Sequence, residues 1–226
     1  MRHSYVLLHK PYNVLCQFTD NSLQGGQRQT LKDFVPIPNV YSVGRLDRDS
    51  EGLLLLTDDA PLKHYLCEPK FAHPRTYWVQ VENIPDAQAI ARLQSGVLIQ
   101  GQKTRPAIAR LLTQAPAVFP RHPPIRERQN IPTAWLALTL TEGKNRQVRR
   151  MTAAVGYPTL RLIRVGIGAG AAQLTLDGLA PGEWRYLTAA EIHALHCLLP
   201  DRGPRDSTGR RQGKKIASRR PRGKSW

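Results

Sequence analysis

Four consecutive leucines at positions 53–56 follow directly on a charge-dense stretch, and this junction constrains the fold more than any other part of the chain. Residues 43–59 read VGRLDRDSEGLLLLTDD. An apolar run that short, closed by Thr57, Asp58 and Asp59, is the pattern of a strand buried on both faces. The residues before it carry Arg45, Asp47, Arg48, Asp49 and Glu51 between Gly44 and Gly52. A charged loop is thereby tethered to the innermost part of the fold, with glycine at each end where the backbone must turn tightly. Taken alone, such a charge cluster is a solvated surface loop. Fixed to a rigid strand, it is also a place to hold a reactive side chain.

What that loop would face follows from the charge of the whole chain. Over 226 residues the formal net charge is +16, a field suited to a polyanion such as nucleic acid or an anionic membrane. No apolar run approaches the roughly twenty residues of a membrane span, and the first eleven residues are too briefly apolar for a secretory signal. Cys16, Cys67 and Cys197 are odd in number and widely spaced. They fit neither a disulfide framework nor a zinc site and are expected to be reduced thiols in a cytoplasm. Residues 201–226 hold ten lysines and arginines against two aspartates and almost nothing apolar, so residues 200–226 are expected to form a disordered basic tail. The body, residues 1–199, remains basic without it.

The order of elements argues for an α+β fold. Strands are expected at 5–8, 53–56, 73–81, 97–99, 107–112, 135–141, 159–165 and 174–176. Helices are expected after Asp58 or Asp59 through Glu68, over 86–95 with Gly96 at the C-cap, and over 190–199. Strands dominate and no β-α alternation runs through the chain, so the sheet should be mixed and largely antiparallel. Residues 114–133 carry five prolines with Arg121, Arg126 and Arg128 among them, a stiffened basic loop. His193, His196 and Cys197 lie close together, but a structural metal site needs four ligands and no fourth can be named.

The second informative stretch is 145–156, NRQVRRMTAAVG. Asn145 suits an N-cap and Gly156 a C-cap. At 3.6 residues per turn Arg146, Arg149 and Arg150 share one face, and Val148, Met151, Thr152 and Val155 share the opposite, core face. Three arginines in one turn repel unless something anionic lies opposite, and arginine suits bidentate phosphate or carboxylate contacts.

The phrase GRLDRDSEGLLLLT resembles the central motif of the RsuA family of bacterial pseudouridine synthases. Lys10-Pro11 followed by Val14 is similar to that family's first motif, EGKNRQVRRM over 142–151 to its third, and LAPGEWRYLT over 179–188 to its closing strand. The resemblance spans roughly His9 to Thr188, and the 120–128 loop, PRHPPIRER, is similar to one carried by a single branch. Two departures stand out. Relatives commonly begin with a small S4 RNA-binding domain, for which there is no room before Tyr5. The family's Lys-x-Tyr is here Arg75-Thr76-Tyr77.

The resemblance implies two α/β subdomains sharing one sheet, with a central cleft. It implies that a uridine is isomerised to pseudouridine in large-subunit (23S) ribosomal RNA, free or in a precursor particle, by a cytoplasmic monomer with no membrane, metal or cofactor. Asp47 would be the nucleophile, Arg149 the cation paired with it, and Tyr77 the ring that packs on the flipped base and manages a proton. Arg45 would fill the gap left in the RNA stack. Lys10, Arg75, Arg121, Arg126, Arg128, Lys144, Arg146, Gln147, Arg150 and Arg161 would contact RNA. A non-catalytic RNA-binding or ribosome-assembly protein would explain the charge but not an aspartate embedded in a basic site. A metal-dependent nuclease could use Asp47, Asp49 and Glu51 if the three converge.

Overall fold

The computed structural model describes residues 3–20, 28–125, 128 and 130–200; candidate Arg126 and the basic tail from residue 201 lie outside them. The chain runs through β1 (Tyr5–Lys10), β2 (Tyr41–Ser42), β3 (Glu51–Thr57), α1 (Ala60–Cys67), β4 (Arg75–Glu82) and α2 (Ala87–Ser95). It continues through β5 (Leu98–Ile99), β6 (Gln102–Lys103), β7 (Ile108–Leu111), β8 (Thr133–Leu140) and α3 (Gln147–Ala154). It closes with β9 (Thr159–Ile167), β10 (Leu174–Thr175), β11 (Trp184–Tyr186) and α4 (Ala189–Cys197). The main sheet has the order β11-β1-β3-β9-β4-β8-β7, with β2 beside β3 and β10 beside β9. Every pair is antiparallel except β3 and β9. The expected α+β class with a mixed, mostly antiparallel sheet is what the chain adopts.

The leucine run is explained by cores on both sides of its strand. Leu53 and Leu55 pack with Tyr5 and Leu7 of β1, Leu62 and Leu66 of α1 and Leu195 of α4. Leu54 and Leu56 pack instead with Val6, Leu8, Leu31, Val35 and Val40. Side chains alternate along a strand, so an element covered on both faces needs every position apolar. In the other half, α2 and α3 lay Leu93, Val148, Met151 and Val155 on Val79, Val81, Leu136, Leu138 and Leu162. The buried face of α3 expected from sequence spacing is the face found.

The two halves meet along β3 and β9, and the contact is close. Gly52 pairs with Arg164 and has φ +109°. A Cβ there would lie 2.2 Å from the Arg164 carbonyl oxygen and 2.6 Å from its nitrogen. Glycine is therefore required twice, by its backbone angle and by the space. Glu51 and Arg161 close the seam with a bidentate ion pair at 2.7 and 2.8 Å, both side chains buried.

One boundary differs from the expectation. Asn145 does not cap α3; the N-cap is Arg146, in the left-handed region at φ +49° and without a side-chain cap. Asn145 Oδ1 accepts from Arg150 Nη2, and Gln147 Oε1 takes the Lys144 backbone N–H. The turn is thus tied by Gln147, and the chain enters the helix one step later. A non-glycine residue at positive φ stores backbone strain, and here it sits beside the charged loop.

Gly52→Ala should lower unfolding free energy by about 3 kcal/mol or more, because neither β3 nor β9 backbone can yield. Denaturant titration reads this; a loss under about 1 kcal/mol would mean that the seam is loose.

Candidate active site

The charged loop, residues 43–50, stands at the end of the seam, held by its own backbone. Val43 N–H donates to Leu55 O at 2.8 Å and Ser50 N–H to Asp47 O at 3.0 Å. The Arg48 carbonyl accepts from Asn13 N–H at 2.8 Å. The Asp49 carbonyl accepts from Arg149 Nη2 at 2.7 Å. Lys10, fully buried, donates Nζ to the carbonyls of Pro11 and Val14 and reaches that of Arg48 at 3.5 Å. Burial pushes its ammonium down to about 8.

The carboxylates of this loop have divided roles. Asp49 accepts from both Nη atoms of Arg146 at 2.9 and 2.8 Å and lies 3.3 Å from Arg149 Nε. Burial would raise its carboxyl, but the hydrogen bonds from Arg146 and the charges of Arg149 and Arg146 outweigh that and hold it below the usual carboxylate range. Glu51 is committed to Arg161. Asp47 is the one left without a hydrogen-bonded arginine. Its side chain and that of Asp49 are equally exposed, at 34%, but among the described residues its ion-pair contact is a single one, Arg146 Nη1 at 3.7 Å. The partner expected from sequence was Arg149; the structure gives Arg146 instead. Arg149, pushed down chiefly by burial, spends its donors on Asp49 and on Thr159 O. Because Arg146 takes the left-handed cap position, its guanidinium lies against the loop.

Asp47 borders a cleft of about 330 Å³ between the end of α1 and the start of α3, at the lower end of the about 300–1,000 Å³ typical of ligand sites. Arg45, Arg75, Tyr77, Lys144, Arg146 and Arg164 also line it. Two larger concavities involve the other side of β4 and β9, where Thr76, Trp78, Gln80 and Ile163 point. They lack the loop carboxylate, so chemistry and not size selects the smaller cleft. Tyr77, on β4, stands in register with Arg164 on β9, and its hydroxyl has no hydrogen-bond partner among the described residues. Arg45 is exposed at the cleft mouth.

Other candidates fall into two groups. Arg150 binds Asn145 and Gln100, Lys144 reaches Lys103 O at 3.4 Å, and Arg128 pairs with Glu82; Arg128 is exposed and the other two are half-buried. Arg121 lies over the Tyr12 ring at 4.2 Å and donates Nε and Nη2 to the carbonyls of Pro123 and Pro124. All four lie near the surface, where phosphate can reach them. Lys10, Gln147 and Arg161 do not: all three are buried and use their hydrogen bonds inside the protein. Their expected RNA contacts give way to structural roles, because each satisfies a carbonyl or carboxylate that would otherwise be stranded. Asp49 as the anchor of the loop and Arg164 in the cleft were missed. The available signal for Arg164 was an arginine, one of two with Arg161, inside the otherwise apolar strand LRLIRV. The nuclease geometry is not met: Asp47 and Asp49 meet on Arg146 while Glu51 is turned onto the buried Arg161, and the described residues contain no group of three His, Cys, Asp or Glu side chains placed to hold a metal ion.

Comparison with known proteins shows the family. A family model described as RNA pseudouridylate synthase matches residues 4–154. The chain belongs to the RNA pseudouridylate synthase family. It is accordingly an RNA pseudouridine synthase, an isomerase, of the RsuA type that its motifs resemble. A Xanthomonas campestris protein named ribosomal large subunit pseudouridine synthase E is 56% identical over 187 residues, 83% of this chain and 97% of that one. A Vibrio parahaemolyticus protein of the same name is 49% identical over 182 residues, 80% of this chain and 73% of that one. A solved pseudouridylate synthase superposes with a TM-score of 0.68 at 31% identity, covering 86% of this chain and 74% of the other.

The division of labour among the carboxylates sets a stability order. Asp49→Asn, which leaves two arginines short of a partner, should cost about 1–2 kcal/mol. Asp47→Asn should cost less than about 0.5 kcal/mol. Denaturant unfolding of both variants measures this, and the reverse order would make Asp47 the structural member.

Proposed function

We propose that this synthase isomerises uridine in large-subunit (23S) ribosomal RNA with Asp47 as its nucleophile. The observation that carries the reading is the state of Asp47. It is the loop carboxylate not consumed by a bidentate arginine, and it faces a basic cleft beside Tyr77. The substrate class is supported by the names of relatives that are 49–56% identical over most of their length.

The placement of the other residues supports the remaining roles. The exposed cations along α3 and the proline-rich loop attract and register the RNA backbone. Arg45, at the mouth, is placed to enter the gap left when the uridine leaves the stack, an unstacking that costs a few kcal/mol. Tyr77 offers a ring to pack on the extruded base and an unengaged hydroxyl to take part in proton transfer. Arg149 acts at one remove: it fixes the loop through the carbonyl and carboxylate of Asp49, and so sets where Asp47 points.

The test is direct. Purified protein is incubated with unmodified large-subunit RNA, with and without EDTA, and pseudouridines are mapped along it. We expect modification at a defined uridine with EDTA leaving the yield nearly unchanged on a short fragment that folds without magnesium. Unmodified RNA that is bound but not converted, in free form and in precursor particles alike, would leave the RNA-binding reading.

A further inference from the structure

Arg164 poses a question that the roles above do not answer. Its side chain is 2% exposed, among the largest fully buried in the protein. Nε donates to Leu53 O at 2.7 Å across the seam. Nη2 is buried without any hydrogen-bond partner, and no carboxylate lies within ion-pair distance of the guanidinium among the described residues. An unpaired buried charge costs several kcal/mol, and proteins keep one where function requires it.

Its position says what it faces. Arg164 lines the same cleft as Asp47, and its cross-strand partner on β4 is Tyr77. Partners in register have Cβ atoms about 4.5–5.5 Å apart on one face of the sheet, so whatever packs on the tyrosine ring lies against the guanidinium. On its other side the partner is Gly52, which has no side chain to cover it. Arg75 is a second cation at this floor. It donates to Leu66 O at 3.1 Å and has no carboxylate partner within ion-pair distance. Burial pushes the Arg75 guanidinium down, with Tyr77 opposing and Arg164 adding to the effect. Two like charges held side by side in a dry site call for a negative charge between them.

Resting on the proposed function, we infer that Arg164 is a catalytic residue that donates to a carbonyl oxygen of the extruded uracil and stabilises the negative charge the base acquires. In the isomerisation the C1′–N1 bond breaks and its electron pair stays with the base, spreading onto O2 and O4. When C5 joins C1′ the pair returns to the new bond, the C5 proton is released, and N1 gains a proton. No other reactant is needed. Attack on the base at C6 would send charge to O4 in the same way, so the role holds for either course of Asp47. A phosphate is disfavoured as the occupant, because an RNA backbone stays hydrated at the surface whereas this guanidinium lies at the floor between strands. A preformed donor aimed at developing charge is worth about 100-fold or more in rate.

The test compares two substrates and two variants. Single-turnover consumption of target uridine and of 5-fluorouridine at the same position is measured for the wild type, Arg164→Gln and Arg164→Lys, with RNA affinity and thermal unfolding alongside. Fluorine at C5 withdraws electrons and makes the base a better bearer of charge. We expect Arg164→Gln to lose about 100-fold on uridine and less than about 10-fold on 5-fluorouridine, with RNA affinity unchanged and Arg164→Lys between it and the wild type. If Arg164→Gln does not fold, the same substrate comparison on Arg164→Lys decides. Equal losses on both substrates would reduce Arg164 to a seam-holding role. Weakened, salt-dependent RNA binding with an unchanged chemical step would assign it to phosphate. Either result overturns the inference while wild-type conversion leaves the proposed function standing; failure of the wild type to convert uridine would overturn that function itself.

Discussion

The bidentate contact between Arg146 and Asp49 is the interaction on which the rest of the site depends. It joins the loop that follows β2 to the first turn of α3, two segments nearly a hundred residues apart in sequence. Arg149 adds a second tie on the same aspartate. With Asp49 saturated, the loop is fixed and its own negative charge is accounted for. Asp47 then keeps its lone pairs, touched only by one nitrogen at 3.7 Å. A nucleophile needs fixed orientation and free electron pairs, which one carboxylate cannot easily supply alone. In the proposed mechanism two carboxylates separated by one residue divide the task.

That arrangement rests on a scaffold rigid at the right place. β3 carries the loop directly into two cores, and Gly52 lets β9 come close enough to bring Arg164 beneath the cleft. Much of the interior polarity is concentrated here: Lys10, Glu51, Arg161 and Arg164 are all buried near the seam. Three of them are satisfied by carbonyls or by each other. Arg164 is not, and the site therefore carries an electrostatic debt that a substrate anion would discharge.

Much of this was legible in the chain itself. Four leucines in a row announced a doubly covered strand, and the spacing of Val148, Met151, Thr152 and Val155 gave the buried face of α3. Asp47 stood out because its surroundings match a family motif. What could not be read was which arginine meets which aspartate. Arg146, Arg149 and Arg150 share a helix face at ordinary geometry, but the left-handed backbone at Arg146 swings its guanidinium toward the loop, and no spacing rule anticipates one strained residue. Nor does charge alone distinguish a phosphate contact from a buried strut. Lys10 and Arg161 look the same in sequence as Arg45, yet carbonyls and Glu51 claim them inside the assembled sheet while Arg45 stays exposed. Arg164 acquires meaning only from register, since its neighbours Tyr77 and Gly52 lie 87 and 112 positions away.

The central claim is that Asp47 does chemistry and Asp49 does not. It is tested most directly by a single pair of measurements on Asp47→Asn: the single-turnover rate of pseudouridine formation, and the dissociation constant for the same RNA. Product below detection is expected, with affinity equal to or slightly tighter than wild type, since a negative charge has been removed from a basic cleft. Measurable turnover by Asp47→Asn, or a loss of activity explained by a matching loss of binding, would contradict it.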